Sequence, residues 1–116
     1  MPSRLVDPAS GRVLASSLSV PRTFIGRGIG LMFRGELQEG HGMLIDPCNG
    51  IHMLFMRFPI DAVFMDRRDR VVKVYRRLRP WIGVVWVVWG AHKVVELRAG
   101  TVDGLPLTKG YQLALT

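Results

Sequence analysis

Cysteine is almost absent from this chain: Cys48 stands alone among 116 residues. An intrachain disulfide framework is thereby excluded, and a fold built without disulfides fits a reducing, cytoplasmic setting. Long apolar runs are missing too. The longest nearly uninterrupted one, Trp81 to Ala91, has eleven residues, whereas a membrane-spanning helix takes about twenty. The first ten residues hold Arg4, Asp7 and two prolines and never form the apolar stretch that secretory export requires, so no signal peptide is expected. There is no internal repeat and no low-complexity segment.

Acidic residues are scarce, 9 against 16 Lys and Arg, which leaves a net charge of +7. The excess is concentrated. From Arg67 to Arg79 the chain carries Arg67, Arg68, Arg70, Lys73, Arg76, Arg77 and Arg79 against the single acid Asp69, which supplies +6 of the +7. At 48% hydrophobic and 22% charged residues the composition is that of an ordinary globular chain, not a disordered one. The length suits one domain, residues 1–116, with one continuous core.

Strand patterns dominate. Arg4-Leu5-Val6 and Val13-Leu14-Ala15 flank Asp7-Pro8-Ala9-Ser10-Gly11, in which Pro presets one turn dihedral and Gly accepts a positive one, so a hairpin is expected. Strands are expected at Gly42 to Ile45, Ile51 to Met56, Ile60 to Met65, Val71 to Leu78, Lys93 to Leu97 and Gln112 to Leu115, with Asp66-Arg67-Arg68-Asp69 as a hairpin loop. In the strand from Val71 the alternation puts Val72, Val74 and Leu78 on one face and Lys73, Tyr75, Arg77 and Arg79 on the other, with Arg76 out of pattern. Trp81 to Trp89 reads as a strand buried on both faces. Between Val20 and Leu37 a short helix is expected, although Gly26, Gly28 and Gly30 each weaken it by up to about 1 kcal/mol. The fold class is thus α+β, mainly β: a compact antiparallel sheet or half-closed barrel with one or two short helices.

Three segments carry a resemblance: Gly30-Leu31-Met32-Phe33-Arg34, Gly42-Met43-Leu44-Ile45, and the long run Met56-Arg57-Phe58-Pro59-Ile60-Asp61-Ala62-Val63-Phe64-Met65-Asp66. With Leu78-Arg79-Pro80-Trp81 and Val95-Glu96-Leu97-Arg98-Ala99-Gly100 in the same order, the chain resembles the domain of unknown function 192 family from about Val20 to Leu115. The resemblance implies a small β-rich fold with short helices and no particular activity. Gly110-Tyr111 departs from it, standing where members of that family commonly have Gly-Asp.

Among candidate sites, Arg57 and Asp61 bracket Phe58-Pro59-Ile60. Asp61 falls on the same strand face as Val63 and Met65, an apolar surface on which a carboxylate needs a partner. Arg57 or Arg34 would serve, and the three together would line a small polar pocket for an anionic ligand; a purely structural tie is the competing reading. This makes a noncatalytic binding module the leading expectation. The alternative is polyanion or nucleic-acid binding through Arg67 to Arg79, where arginines meet phosphates and Trp81, Trp86 and Trp89 offer stacking surfaces. A second alternative is a small enzyme with Asp61 or His52 as acid/base, although no complete set of nucleophile, base and oxyanion donors can be assembled. No metal site is expected, because His41, His52, His92 and Cys48 lack zinc-ligand spacing. No cofactor is expected either: Gly26-Arg27-Gly28-Ile29-Gly30 matches neither the dinucleotide fingerprint nor the Walker pattern.

Overall fold

The structure, a computed structural model, describes residues 2–20, 37–48, 50–52, 58–80, 84–85 and 87–116. Its strands in chain order are β1 (Leu5–Asp7), β2 (Arg12–Ala15), β3 (Ser17–Ser19), β4 (His41–Ile45), β5 (Ile51–His52), β6 (Ile60–Met65), β7 (Val71–Leu78), β8 (Val84–Val85), β9 (Lys93–Arg98) and β10 (Ala114–Leu115). No helix occurs among the described residues, and the short helix expected between Val20 and Leu37 lies almost wholly outside them.

The centre is a five-stranded sheet in the order β3-β4-β9-β6-β7. It is open, not barrel-like: β3 and β7 are its edges. Its β3–β4 pair is parallel, which corrects the expectation of antiparallel pairing throughout. The strand late in the sequence, β9, lies between β4 and β6 and pairs antiparallel with both. Strands β6 and β9 are therefore flanked on both sides and packed on both faces, so all of β6 and all of β9 up to Leu97 are buried.

Because side chains alternate across a strand, the sheet makes two apolar surfaces. On the first, Met43, Ile45, Ile60, Ala62, Phe64 and Val94 pack with Leu37, Phe58 and Val88. On the second, Leu44, Val63, Met65, Val95 and Leu97 meet Leu5, Leu14 and Ala15 of a three-stranded sheet, β10-β1-β2, and the connection residues Val102, Leu107 and Leu113. Gly42 is required where β4 passes close to its neighbours: a Cβ there would come within 2.9 Å of Leu97 Cδ2 and 3.0 Å of the Glu96 carbonyl oxygen.

The two-sided pattern expected for β7 does not survive its pairing with β6. Register shifts between Phe64 and Met65 and between Ile60 and Ala62 reset which side chains face which surface. Tyr75 joins the first surface, edge-on to Phe64, while Val74 packs on the second. At the second shift, Arg76 and Arg77 together oppose the single residue Asp61, a β-bulge in which Arg77 takes a φ of 53°. The bulge accounts for Arg76 falling out of pattern.

The first hairpin is as expected, and Asp7 at the end of β1 holds it. Its carboxylate accepts from Ser10 Oγ at 2.8 Å, from the Ala9 N–H at 3.2 Å and from Tyr111 Oη at 2.9 Å. Burial by itself would raise the Asp7 pKa, but the bonds from Ser10, Tyr111 and the turn amides outweigh it and hold the group below its ordinary 3.8. In Tyr111 the bond to Asp7, helped by burial and by the carboxylate charge, pushes the phenol up. Since the Asp7 pKa is depressed on folding, its stabilisation is present above pH 3.8 and is lost as pH falls through the folded value. Urea titrations of Asp7→Asn should accordingly show a lower midpoint than wild type at neutral pH and a smaller gap well below pH 3.8; equal gaps would contradict the assignment.

Candidate functional site

Asp61 lies on the second surface of β6, fully buried and opposite Leu97. Its partners are main-chain donors. Oδ1 accepts the Arg77 N–H at 2.9 Å, and Oδ2 accepts the N–H groups of Gly100 at 3.0 Å and Val102 at 3.2 Å. One carboxylate thus joins the β7 bulge to the turn that follows β9. Charge-assisted bonds to backbone amides are among the stronger hydrogen bonds in proteins, so this turn is held in a fixed shape. Arg34 and Arg57, the other members of the expected pocket, lie outside the described residues.

Above the turn opens a cleft of about 490 Å³, lined by Arg12, Val13 and Leu14 of β2, by Glu39 and Gly40 ahead of β4, and by Arg98 to Thr101. Arg12 Nη2 donates to the Thr101 carbonyl at 3.0 Å, and Thr101 Oγ1 donates to the Arg98 carbonyl at 2.6 Å. Arg98 is exposed and makes no side-chain hydrogen bond or ion pair among the described residues. Gly100, with φ at 94°, lets the chain turn back sharply. Among the described residues, two guanidiniums therefore share one polar cleft with a single carboxylate, Glu39, on a floor that Asp61 fastens from below. Sequence inspection could not assemble this site, because Arg12 and Arg98 come from opposite ends of the chain.

A further buried acid lies on the other surface of the central sheet. Glu96 in β9 is 8% exposed, sits opposite Met43 and Ala62, and has no hydrogen bond or ion pair among the described residues. Burial alone raises its pKa from 4.5 to about 7. The signal that singles out Asp61, an acid within an apolar strand, is equally present in Val94-Val95-Glu96-Leu97 and identifies Glu96 as a further candidate.

Much of the basic segment is engaged within the chain. Arg70 pairs with Asp66 at 3.0 Å, Arg77 with Asp103, and Arg76 Nη2 donates to the Leu105 carbonyl at 3.1 Å. Lys73 lies 5.6 Å from the centre of the Tyr75 ring. Arg67, Arg68 and Arg79 are exposed. His52 enters β5 opposite Val84. His92 contacts Asp46 at 3.1 Å, and Cys48 Sγ donates to the Gly50 carbonyl at 3.1 Å. Among the described residues no three His, Cys, Asp or Glu side chains come together as a metal site would need, and no helix is long and apolar enough to cross a membrane.

Comparison with known proteins agrees with this architecture. A UPF0127 protein from Thermococcus sibiricus is 30% identical over 105 residues, covering 87% of this chain and 67% of that protein. A Sinorhizobium meliloti crystal structure, provisionally named a transcription regulator, superposes with a TM-score of 0.80 at 27% identity, covering 97% of this chain and 90% of the other. A Novosphingobium aromaticivorans protein of unknown function shares the fold, with a TM-score of 0.80 at 23% identity over 98% of this chain and 84% of the other. The family model for DUF192, described as uncharacterized ACR, matches residues 6–115, and the chain therefore belongs to that family of uncharacterised proteins.

Proposed function

We propose that this domain is a noncatalytic binding module that takes a small anion in the cleft between Arg12 and Arg98. The observation that carries the reading is the exposed Arg98 guanidinium, which pairs with no charged group among the described residues and shares a polar cleft with Arg12. The volume falls within the range of about 300–1,000 Å³ typical of small-molecule sites. Guanidiniums offer forked donors suited to phosphate or carboxylate, and a turn fixed by Asp61 keeps the donors in place without a large ordering cost on binding. Asp61 then serves as a positioning residue beneath the ligand rather than as a ligand contact.

The test is a titration of isotope-labelled protein with inorganic phosphate, followed by amide and arginine side-chain resonances. Shifts should concentrate at residues 12–14, 39–40 and 98–101, and Arg98→Gln should abolish them while the remainder of the spectrum is unchanged. Shifts spread evenly over the basic surface, or retained in Arg98→Gln, would refute the site.

Two other readings have less support. Polyanion binding along Arg67 to Arg79 must contend with Arg70, Arg76 and Arg77 already being engaged. An acid/base role for Asp61 must contend with both of its oxygens accepting main-chain bonds. The provisional regulator name of the Sinorhizobium protein finds no helix-turn-helix to attach to among the described residues.

A further inference from the structure

The turn before β9 presents two apolar side chains to solvent. Trp89 is 87% exposed and Val87 51%, while Val88 between them is buried in the first-surface cluster. The expectation of a strand buried on both faces fails here, since alternation around Val88 turns its two neighbours outward. The turn is not loose. The Ala91 N–H bonds the Val88 carbonyl at 3.1 Å, Gly90 takes a φ of 88°, and the His92 N–H bonds the Met65 carbonyl at 2.8 Å. A Cβ on Gly90 would lie 3.9 Å from Val72 Cγ1, so the turn rests beside β7 at the end of the sheet where the β6–β7 hairpin closes.

That hairpin is basic, and its acids are consumed internally. Asp66 accepts the N–H groups of Arg68 and Arg70 at 2.8 and 3.0 Å and pairs with the Arg70 side chain. Asp69 pairs with Lys93. Arg67, Arg68 and Lys73 remain exposed, and none of the three pairs with an acid among the described residues. A fixed apolar tip is thus set beside exposed cations, although Trp89 and the hairpin arginines are about twenty residues apart in sequence.

We propose that this end of the molecule docks on an anionic lipid surface, with Trp89 and Val87 entering the headgroup boundary and Arg67, Arg68 and Lys73 facing lipid phosphates. Tryptophan favours that boundary, and basic residues near an anionic leaflet are attracted to it. A nucleic acid matches the charge equally well, but bases stack on aromatic faces alone and leave Val87 exposed. A bilayer covers both side chains. The site is separate from the anion cleft, so the two proposals fail independently.

The experiment is co-sedimentation of the full chain with phosphatidylcholine vesicles, with and without phosphatidylglycerol, alongside tryptophan emission. Binding should require phosphatidylglycerol, weaken with salt, and shift the emission to the blue. Arg67→Gln and Arg68→Gln should each lower affinity about fivefold, and Trp89→Ser about tenfold, whereas Arg98→Gln should have no effect. As surface changes, all four variants should keep the wild-type circular dichroism spectrum. Three results would overturn the proposal: no phosphatidylglycerol-dependent binding, binding unchanged in Trp89→Ser, or Trp89-dependent capture of a thymidine oligonucleotide by a protein that ignores the vesicles.

Discussion

Asp61→Ala is expected to lower the unfolding free energy by about 3–5 kcal/mol, the scale of leaving several buried main-chain donors unsatisfied. Three main-chain N–H groups would lose their acceptor at once. A hydrogen bond to a charged group contributes about 1.5–3 kcal/mol, and a buried donor left unsatisfied costs about 1–3 kcal/mol. These figures do not add in full, because water entering beside the turn would recover part of the loss. Against a typical total of about 5–15 kcal/mol the change is severe. Asp61→Asn should be only partly milder, since the amide keeps one acceptor oxygen but turns its NH₂ toward other donors. Urea denaturation measures the loss, and a change in Asp61→Ala below about 1 kcal/mol would refute the anchoring role. Hydrogen exchange adds a local readout: the amides of Arg77, Gly100 and Val102 should lose protection earlier than those in the centre of β6. If the anion cleft depends on the shape of the turn, phosphate shifts should weaken in Asp61→Asn even under conditions where the variant is folded.

Glu96→Gln is expected to stabilise the protein above neutral pH by up to about 3 kcal/mol, from a rise of the folded pKa from 4.5 to about 7 at roughly 1.4 kcal/mol per unit. The sign follows from proton binding. Between pH 4.5 and about 7 the folded protein holds a proton on Glu96 that the unfolded chain releases, so wild-type stability is greatest below 4.5 and declines as pH rises through the folded value. A glutamine is neutral throughout and removes that decline. Denaturant midpoints of the two proteins should be close at pH 4.5 and should diverge in favour of the variant by pH 8. Midpoints that stay parallel across this range would show that Glu96 has a charged partner in the folded protein.

The two acids occupy opposite surfaces of one sheet and answer the same physical problem differently. Asp61 faces the second surface, where the bulge in β7 and the turn after β9 direct N–H groups inward, and its oxygens accept all three. Glu96 faces the first surface between Met43 and Ala62, where the neighbouring strand positions among the described residues are apolar. A buried polar group left in that condition is costly, and the raised pKa expresses the cost.

What the sequence determined by itself was local. The limits of β6 and β7 and the hairpin between them follow from two runs rich in apolar and β-branched residues around a polar tetrapeptide. The first hairpin follows from its Pro and Gly chemistry, and family membership from the run Met56 to Asp66. The need of Asp61 for a partner was also legible, because an acid in an apolar strand signals it wherever it lies. The tertiary structure alone decided the rest. Placing β9 between β4 and β6, running β3 parallel to β4, supplying main-chain donors to Asp61 and bringing Arg12 to Arg98 all depend on contacts between distant segments. Alternation specifies which side chains share a face, but not which strand lies next to which, nor where a bulge exchanges the faces, as it does at Arg76 and Arg77. The exposure of Trp89 was settled in the same way: an apolar run favours burial, and a turn pinned by Gly90 and Val88 turned that side chain outward.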